Sequence, residues 1–455
     1  MKSIKEKLRN KRVAVLGLGD ENVALVSYLI KEGALVTVCD QKSREELKEN
    51  LARLKNLDGI DYQLGEDYLD NLKNYDIIFR TPGLPYLHSK IREAKNSGAE
   101  ISSQTKLFFA RCPSPIIGVT GTKGKGTTTT LIGEILKQSG KHVFVGGNIG
   151  QPPIEFLDQL KVNDLVILEL SSFQLQDLKK SPHIAVVLDI KVDHLDYHSG
   201  PKEYIEAKKN IVDFQQDSDF AVICADYLTS FEFAAQTPAK VYYFSRRKSV
   251  DLGAFVLDGK IILRTEDFEK EIIDIAKVQL RGSHNLENIC AAVTAAYLAG
   301  ADISSIQNTV AGFKGLEHRL ELVGEVSGVK YYNDSFSTTP DTAIAAIKSF
   351  SEPIILFLGG SEKNADYREL ADVITQSTVK MVVPIGLTAD RIIKEISNPK
   401  IEIISGIKSM SEAISLAQEK AQPGDVVILS PASASFDRYK NYQERGQLFK
   451  ELVLK

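Results

Sequence analysis

The segment TGTKGKGTTTT (120–130) constrains this chain more than any other stretch. It follows the apolar run PIIGVT (115–120) and leads into TTTTLIGEILKQSG (127–140). The run predicts a buried strand, and the sequel predicts a helix that stops at Gly140. Glycines let the main chain wrap phosphates with its N–H groups inward, and a helix N-terminus adds partial positive charge. Lys125 is placed to bridge terminal phosphates, and a following hydroxyl to hold Mg²⁺. The strict GxxxxGK[ST] pattern is not met, because Val119 replaces its first glycine and Gly126 occupies its hydroxyl position. Thr127 is then the natural Mg²⁺ ligand. A glycine-rich surface turn is the plain alternative. Four glycines in nine residues, two lysines and a Thr run, all between strand and helix, favour the phosphate cradle.

The rest of the chain alternates in the same way. VAVLGLG (13–19) and LVTVCD (35–40) predict buried parallel strands, with a helix across ENVALVSYLIKEG between them. YDIIFRTPG (75–83) predicts a strand ending in a Pro-Gly turn. A second section, from about ISSQTKLFF to Phe313, adds HVFVGGNIG, DLVILEL and IAVVLDI. A third opens with GLEHRLELV and carries VKYYNDS, PIILFLGG, MVVPIG, IEIIS and DVVILSP. Strands alternating with helices give parallel sheets. At roughly 150 residues per domain, a chain of 455 residues holds about three. The expectation is an α/β protein with domains at 1–104, 105–314 and 315–455: Rossmann-like, P-loop ATPase-like with a mostly parallel sheet, and Rossmann-like again.

Composition narrows the function. Lys plus Arg number 56 against 60 Asp plus Glu, a formal charge of −4, which excludes nucleic-acid binding through bulk positive charge. Cys39, Cys112, Cys224 and Cys290 form no CxxC pair and no zinc spacing, which fits a reducing compartment. No apolar stretch reaches the ~18 residues of a membrane span. The basic start MKSIKEKLRNKR is followed by an apolar run cut short by Asp20 and Glu21, unlike a signal peptide. The expectation is a cytoplasmic protein without nucleic-acid or membrane partners.

Other constellations are weaker singly. GLGDEN (17–22) opens like a dinucleotide fingerprint, but Asn22 replaces its third glycine. Asp40 ends the next strand, where an acidic residue reaches a ribose in such sites. Glu169 closes the apolar strand of DLVILELSSFQL; it either faces solvent or meets a cation such as Mg²⁺. The loop VDHLDYHSG offers His194, Asp193 or Asp196 to a metal, or is simply solvated. In PKEYIEAKKN, Tyr204 and Lys208 fall one turn apart on one helix face. In RGSHNLENICAA, Asn285 and Asn288 could present amides to a nucleotide, or serve as polar first-turn residues.

TGTKGKGT, ELSSFQL, DHLDYH followed by YIEAK, HNLEN, EHR and NDS occur in an order that resembles the Mur ligase family over almost the whole chain. Within it, LSPASASFDRYKNYQERGQLF (429–449) and LGGSEKNADY (358–367) are similar to the member that joins D-glutamate to UDP-N-acetylmuramoyl-L-alanine. The DNP-type motif of the diaminopimelate and lysine ligases is not found.

The resemblance implies a nucleotide-sugar domain, an ATP domain and an amino-acid domain, in that order. It implies ATP as co-substrate, two Mg²⁺ ions and a monomer. Gly121, Thr122, Lys123, Gly124, Lys125, Gly126 and Thr127 would cradle the phosphates, with Asn285 and Asn288 near the adenine. Arg319 and Asp334 would reach ATP from the third domain, which must close on the second. Thr127, Glu169, His194 and a carbamylated Lys208 would hold metal. Lys125, Lys208, His194 and Arg319 would carry the chemistry. Gly17, Asp40, Gln41, Thr81, Asn148 and Tyr204 would line the nucleotide-sugar substrate. Thr338, Lys363, Ser435, Phe436 and Tyr442 would form the D-glutamate pocket. The sequence departs from the family at Gly126, at Phe336 where lysine commonly follows NDS, at Ser361 where an acid is usual, and at Gln41-Lys42.

The implied reaction makes an acyl phosphate from ATP and resolves it with an amine. That chemistry needs charge neutralisation rather than a protein nucleophile, and the sequence offers no defensible Ser/His/Asp or Cys/His set. The rivals are a folylpolyglutamate synthase-like ligase, which the GKGT loop favours, and a non-catalytic nucleotide-binding module.

Overall fold

The computed structural model describes residues 8–86, 88–191, 197–362 and 364–455. The chain forms two compact units. The first comprises Met1–Ile275 with Glu287–Val310, the second Ala276–Leu286 with Ala311–Lys455.

The first unit holds two parallel sheets. One has five strands, ordered Ile60–Leu64, Leu35–Asp40, Arg12–Leu16, Ile77–Phe79, Glu100–Ser102. All its pairings are parallel, and its order is that of a Rossmann fold. Val13 and Val15 are fully buried, as a strand covered on both faces requires. The helix Asp20–Lys31 between its first two strands lies where the sequence places it, and buries Val23, Leu25, Val26 and Leu29.

The second sheet has six parallel strands, ordered Lys240–Phe244, Phe220–Cys224, Ile184–Val187, Ile116–Thr120, Leu165–Glu169, Val143–Gly147. The helix Lys125–Gln138 follows its central strand. An antiparallel sheet, Gly253–Leu257, Lys260–Arg264 and Glu269–Asp274, completes the unit.

One apolar core runs under both parallel sheets. It joins Val23 and Leu29 to Phe108, Phe109, Phe156 and Leu157. Phe108 meets Phe156 edge-on, ring centres 5.6 Å apart.

The second unit carries a six-stranded sheet: Glu321–Val326, Val329–Asn333, Val426–Leu429, Ile354–Leu358, Val379–Pro384, Glu402–Ile403. Its first pair is antiparallel and the rest parallel. Ile354, Ile355, Leu356 and Phe357 are fully buried. The fold is thus α/β with mostly parallel sheets, one in each section the sequence marks out. Among the described residues no helix is long and apolar enough to cross a membrane. All four cysteines are free.

Candidate active site

In parallel sheets, ligands gather beyond the C-terminal ends of the strands. Several of the predicted residues take such positions, each within its own unit. Asp40, Thr120 and Glu169 end their strands, while Thr81, Asn148 and Asp334 lie one or two residues beyond theirs.

The phosphate loop is built as its composition demands. Gly121 and Gly124 have φ of 155° and 86°. A Cβ on Gly121 would stand 2.7 Å from Leu188 Cβ, and one on Gly124 2.2 Å from Asn288 Oδ1. The loop is pinned from outside: Thr122 N–H donates to Asp189 O at 2.7 Å, and Thr122 Oγ1 meets Lys191 O at 2.8 Å and Tyr204 Oη at 3.0 Å. Lys125 opens the helix and bends back, its Nζ donating to Gly121 O at 3.1 Å and Thr122 O at 3.0 Å. Thr127 is buried and Lys123 exposed. The first helical N–H groups have no partner within the helix, which suits this end to an anion.

Lys208 is only 2% exposed and converges on the same loop. Its Nζ donates to Gly121 O at 3.0 Å and Thr120 Oγ1 at 3.3 Å, and lies 4.8 Å from the Tyr204 ring centre. The one-turn spacing in YIEAK therefore does bring Tyr204 and Lys208 together, with Thr122 bridging Tyr204 to the loop.

Glu169 does not face solvent: it is 3% exposed. Oε1 accepts from Asn148 Nδ2 at 3.0 Å, and Asn148 N–H donates to Glu169 O at 3.0 Å. Gly147 lets these strand ends approach, since a Cβ there would sit 2.2 Å from Glu169 O. Oε2 is buried and has no hydrogen-bond partner among the described residues. A buried carboxylate oxygen with a vacant lone pair suits a divalent cation. Among the described residues no three His, Cys, Asp or Glu side chains group to hold a metal. His194 lies outside the described residues.

On the first sheet, Gly17 has φ of 80°, and a Cβ there would stand 3.1 Å from Thr81 Cγ2. The structure thus brings Gly17 and Thr81 together. Asp40 is buried; its Oδ2 accepts from Leu18 N–H at 2.6 Å and its Oδ1 from Lys42 N–H at 2.8 Å. It shapes the 17–18 turn. Asn22, in the place of a third glycine, donates to Leu16 O and Gly17 O at 3.0 and 2.8 Å, locking that turn by side chain instead of close packing. Gln41 is exposed.

In the second unit, Asp334 accepts from Leu320 N–H at 3.1 Å and Ser430 Oγ at 2.8 Å, tying the EHR and LSPAS segments together. Burial pushes its carboxyl up to about 6. The Arg319 guanidinium lies over Phe336. Tyr442 packs edge-on against Phe336 and His318. Ser435 is buried, Thr338 half-buried, and Phe436 71% exposed. Asn285 Nδ2 donates to Arg281 O at 2.7 Å. Lys363 lies outside the described residues.

The chain matches the Mur ligase MurD-like N-terminal domain over 11–103, the Mur ligase middle domain over 119–296, and the Mur ligase glutamate ligase domain over 318–433. The chain belongs to the Mur ligase family. It is 44% identical, over 100% of its own length and 98% of the relative's, to the UDP-N-acetylmuramoylalanine–D-glutamate ligase of Acetivibrio thermocellus. It is 45% identical to the enzyme so named of Symbiobacterium thermophilum, covering 97% of each chain. Among solved structures, the Mur ligase fold recurs in UDP-N-acetylmuramate-alanine ligase MurC of Thermotoga maritima (TM-score 0.60, 17% identity, 97% of this chain and 99% of that one). It recurs too in the MurF ligase of Thermotoga maritima in complex with ADP (TM-score 0.58, 18% identity, 99% and 96%).

Sequence reasoning in this Mur ligase missed several residues around the site. Arg445, 3% exposed, donates to Ser335 Oγ and Ser335 O at 2.9 Å and to Ser433 O and Ala434 O at 3.2 Å, so it holds the NDS and SPASAS segments together. His198 stacks on Phe173 and hydrogen-bonds Ser172 Oγ through Nε2 at 2.9 Å. Arg80 is buried at the end of the first-sheet strand Ile77–Phe79. The available signal was a charge inside an apolar run.

Proposed function

We propose that this chain is an ATP-dependent ligase that adds D-glutamate to UDP-N-acetylmuramoyl-L-alanine, in cytoplasmic synthesis of peptidoglycan precursors. The observation that carries this is the 44–45% identity, spanning nearly the whole of each chain, to two relatives of that activity. The phosphate loop built around Gly121, Gly124 and Lys125 agrees with it.

A carboxylate oxygen of the L-alanyl group attacks the γ-phosphorus of ATP, and ADP leaves. The D-glutamate amine attacks the carbonyl carbon of the acyl phosphate, losing a proton. The tetrahedral intermediate expels inorganic phosphate and leaves an amide. Negative charge gathers at the transferring phosphoryl group, so the protein supplies position and positive charge. Gly121–Thr127 cradle the phosphates with main-chain N–H groups, and Lys125 leaves its loop carbonyls for a phosphate oxygen. Thr127, Glu169, His194 and carbamylated Lys208 would hold Mg²⁺, which supplies Lewis-acid neutralisation of phosphate oxygens when bound. Asn148 orients Glu169. Asn285 and Asn288 serve the adenine; Arg319 and Asp334 serve the phosphates and ribose. Gly17, Asp40, Gln41, Thr81 and Tyr204 serve the nucleotide sugar. Thr338, Lys363, Ser435, Phe436 and Tyr442 serve D-glutamate. The protein works as a monomer of three domains bounded near 104 and 314.

Phosphate release from Mg·ATP tests the reading. Turnover should require both UDP-N-acetylmuramoyl-L-alanine and D-glutamate, and fail with L-glutamate or L-lysine. Activity only with a folate and L-glutamate would overturn it.

A further inference from the structure

We propose that Arg80 is a positioning residue: it clamps the nucleotide-sugar turn Thr81–Leu84 to the segments that carry the metal chemistry, and so sets where the acyl substrate meets the γ-phosphate. This rests on the functional reading above. The Arg80 side chain is 1% exposed. Nη1 donates to Thr81 O at 3.3 Å, Leu84 O at 3.1 Å and Tyr197 Oη at 2.9 Å. Nη2 donates to Phe173 O at 3.1 Å and Asp177 Oδ1 at 3.4 Å.

These partners come from three places. Thr81 and Leu84 belong to the turn beyond the first-sheet strand Ile77–Phe79, the turn that abuts Gly17. Phe173 and Asp177 follow Glu169 in the segment ELSSFQLQD. Tyr197 belongs to the DHLDYH motif of His194. The Tyr197 hydroxyl is itself shared, accepting from Arg80 and donating to Leu84 O at 3.1 Å. Asp177, 4% exposed, takes the half-buried Lys106 Nζ at 3.3 Å on its other oxygen, so it is shared between two cations.

A buried ion pair is weak evidence for stability, because desolvation offsets its attraction. What a guanidinium does supply is a rigid planar fork that fixes several acceptors at once, which an ammonium cannot reproduce. Here the fork sets one substrate-side turn against two metal-side segments. Displacement of a reacting group by about 1 Å costs on the order of 10²-fold in rate.

The test compares Arg80→Lys and Tyr197→Phe with wild type. Arg80→Lys should lower kcat/KM for the nucleotide sugar on the order of 10²-fold. Tyr197→Phe should lower it about 3- to 10-fold, and the double variant should be little worse than Arg80→Lys alone. KM for ATP should stay within about twofold, because the phosphate loop makes none of these bonds. Hydrogen–deuterium exchange gives a readout independent of turnover. In Arg80→Lys, exchange should rise together at 81–86 and 172–178 and stay unchanged at 116–130. Should the wild type reject this nucleotide sugar, the functional reading fails while exchange still decides the clamp. Exchange confined to 81–86, additive kinetic losses, or equal losses for ATP and the nucleotide sugar would overturn the proposal.

Discussion

The guanidinium carbon of Arg319 lies 3.6 Å from the centre of the Phe336 ring. Phe336 N–H donates to His318 O at 3.0 Å, which stitches the EHR and NDSF segments side by side. Tyr442 presses edge-on against the same ring at 5.0 Å. Position 336, where the resemblance to the family leads one to expect lysine, therefore holds a platform for the neighbouring arginine. Two adjacent cations would repel, whereas an aromatic face attracts and orients a guanidinium by about 0.5–2 kcal/mol. Phe336→Leu keeps an apolar side chain and removes the π face. We expect it to lower kcat/KM for ATP about 3- to 10-fold, with Phe336→Tyr near wild type. Initial rates at varied ATP decide this; a leucine variant indistinguishable from wild type would remove Arg319 from the platform's influence.

Glu169 presents a buried oxygen without a hydrogen-bond partner among the described residues, beside one satisfied by Asn148. Such an arrangement costs stability, and the proposed Mg²⁺ would offset that cost. Glu169→Gln retains the acceptor for Asn148 and removes the charge. Its Tm in metal-free buffer should equal or exceed that of wild type, while kcat falls on the order of 10²-fold or more and the Mg²⁺ requirement rises. Calorimetry with and without Mg²⁺, beside a Mg²⁺ titration of rate, checks both signs. An unchanged Mg²⁺ dependence would contradict the metal role.

Gly124 has φ of 86°, and a Cβ there would meet Asn288 Oδ1 at 2.2 Å. Gly124→Ala is therefore penalised twice, by backbone strain of roughly 1–2 kcal/mol and by displacement of Asn288. KM for ATP should rise at least about tenfold, with a smaller effect on KM for D-glutamate. Equal effects on both substrates would show a general loss of fold, which circular dichroism would report.

The parallel framework was legible because its signals are local. PIIGVT, DLVILEL and PIILFLGG are continuous apolar runs bounded by glycine or charge, and each is a buried strand. The glycine-rich turn between strand and helix was legible because glycine spacing and conformation are both properties of a few adjacent residues. The antiparallel strands Gly253–Leu257, Lys260–Arg264 and Glu269–Asp274 went unread, since the last, EKEIID, carries four charges and pairs through register with its neighbour. Arg80 and Arg445 were hidden for another reason. Their partners lie up to 117 and 110 residues away in sequence, so what each charge binds follows from tertiary packing. Asp40 sat where the nucleotide-binding pattern places an acid, yet its work on Leu18 and Lys42 N–H groups became visible only in three dimensions.

Glu21 gives the chain a pH signature. It lies in the first turn of the helix Asp20–Lys31, within GLGDEN, and burial pushes its carboxyl up to about 7, against an opposing hydrogen bond with Gln174. A carboxyl whose pKa is raised on folding binds its proton more tightly in the folded state. Its contribution is fully present below the ordinary value of 4.5 and is lost as pH climbs to about 7. Asp334, raised to about 6, acts with the same sign. At about 1.4 kcal/mol for each unit, Glu21 removes at most roughly 3–4 kcal/mol between those limits. Glu21→Gln cannot ionise and can still bond Gln174. Its Tm should match wild type near pH 4.5 and exceed it at pH 8, where wild type holds an ionised, desolvated carboxylate. Thermal melts across that range measure the difference directly. A Tm offset that stays constant with pH would mean that Glu21 titrates as it does in the unfolded chain, and that its contact with Gln174 offsets its burial.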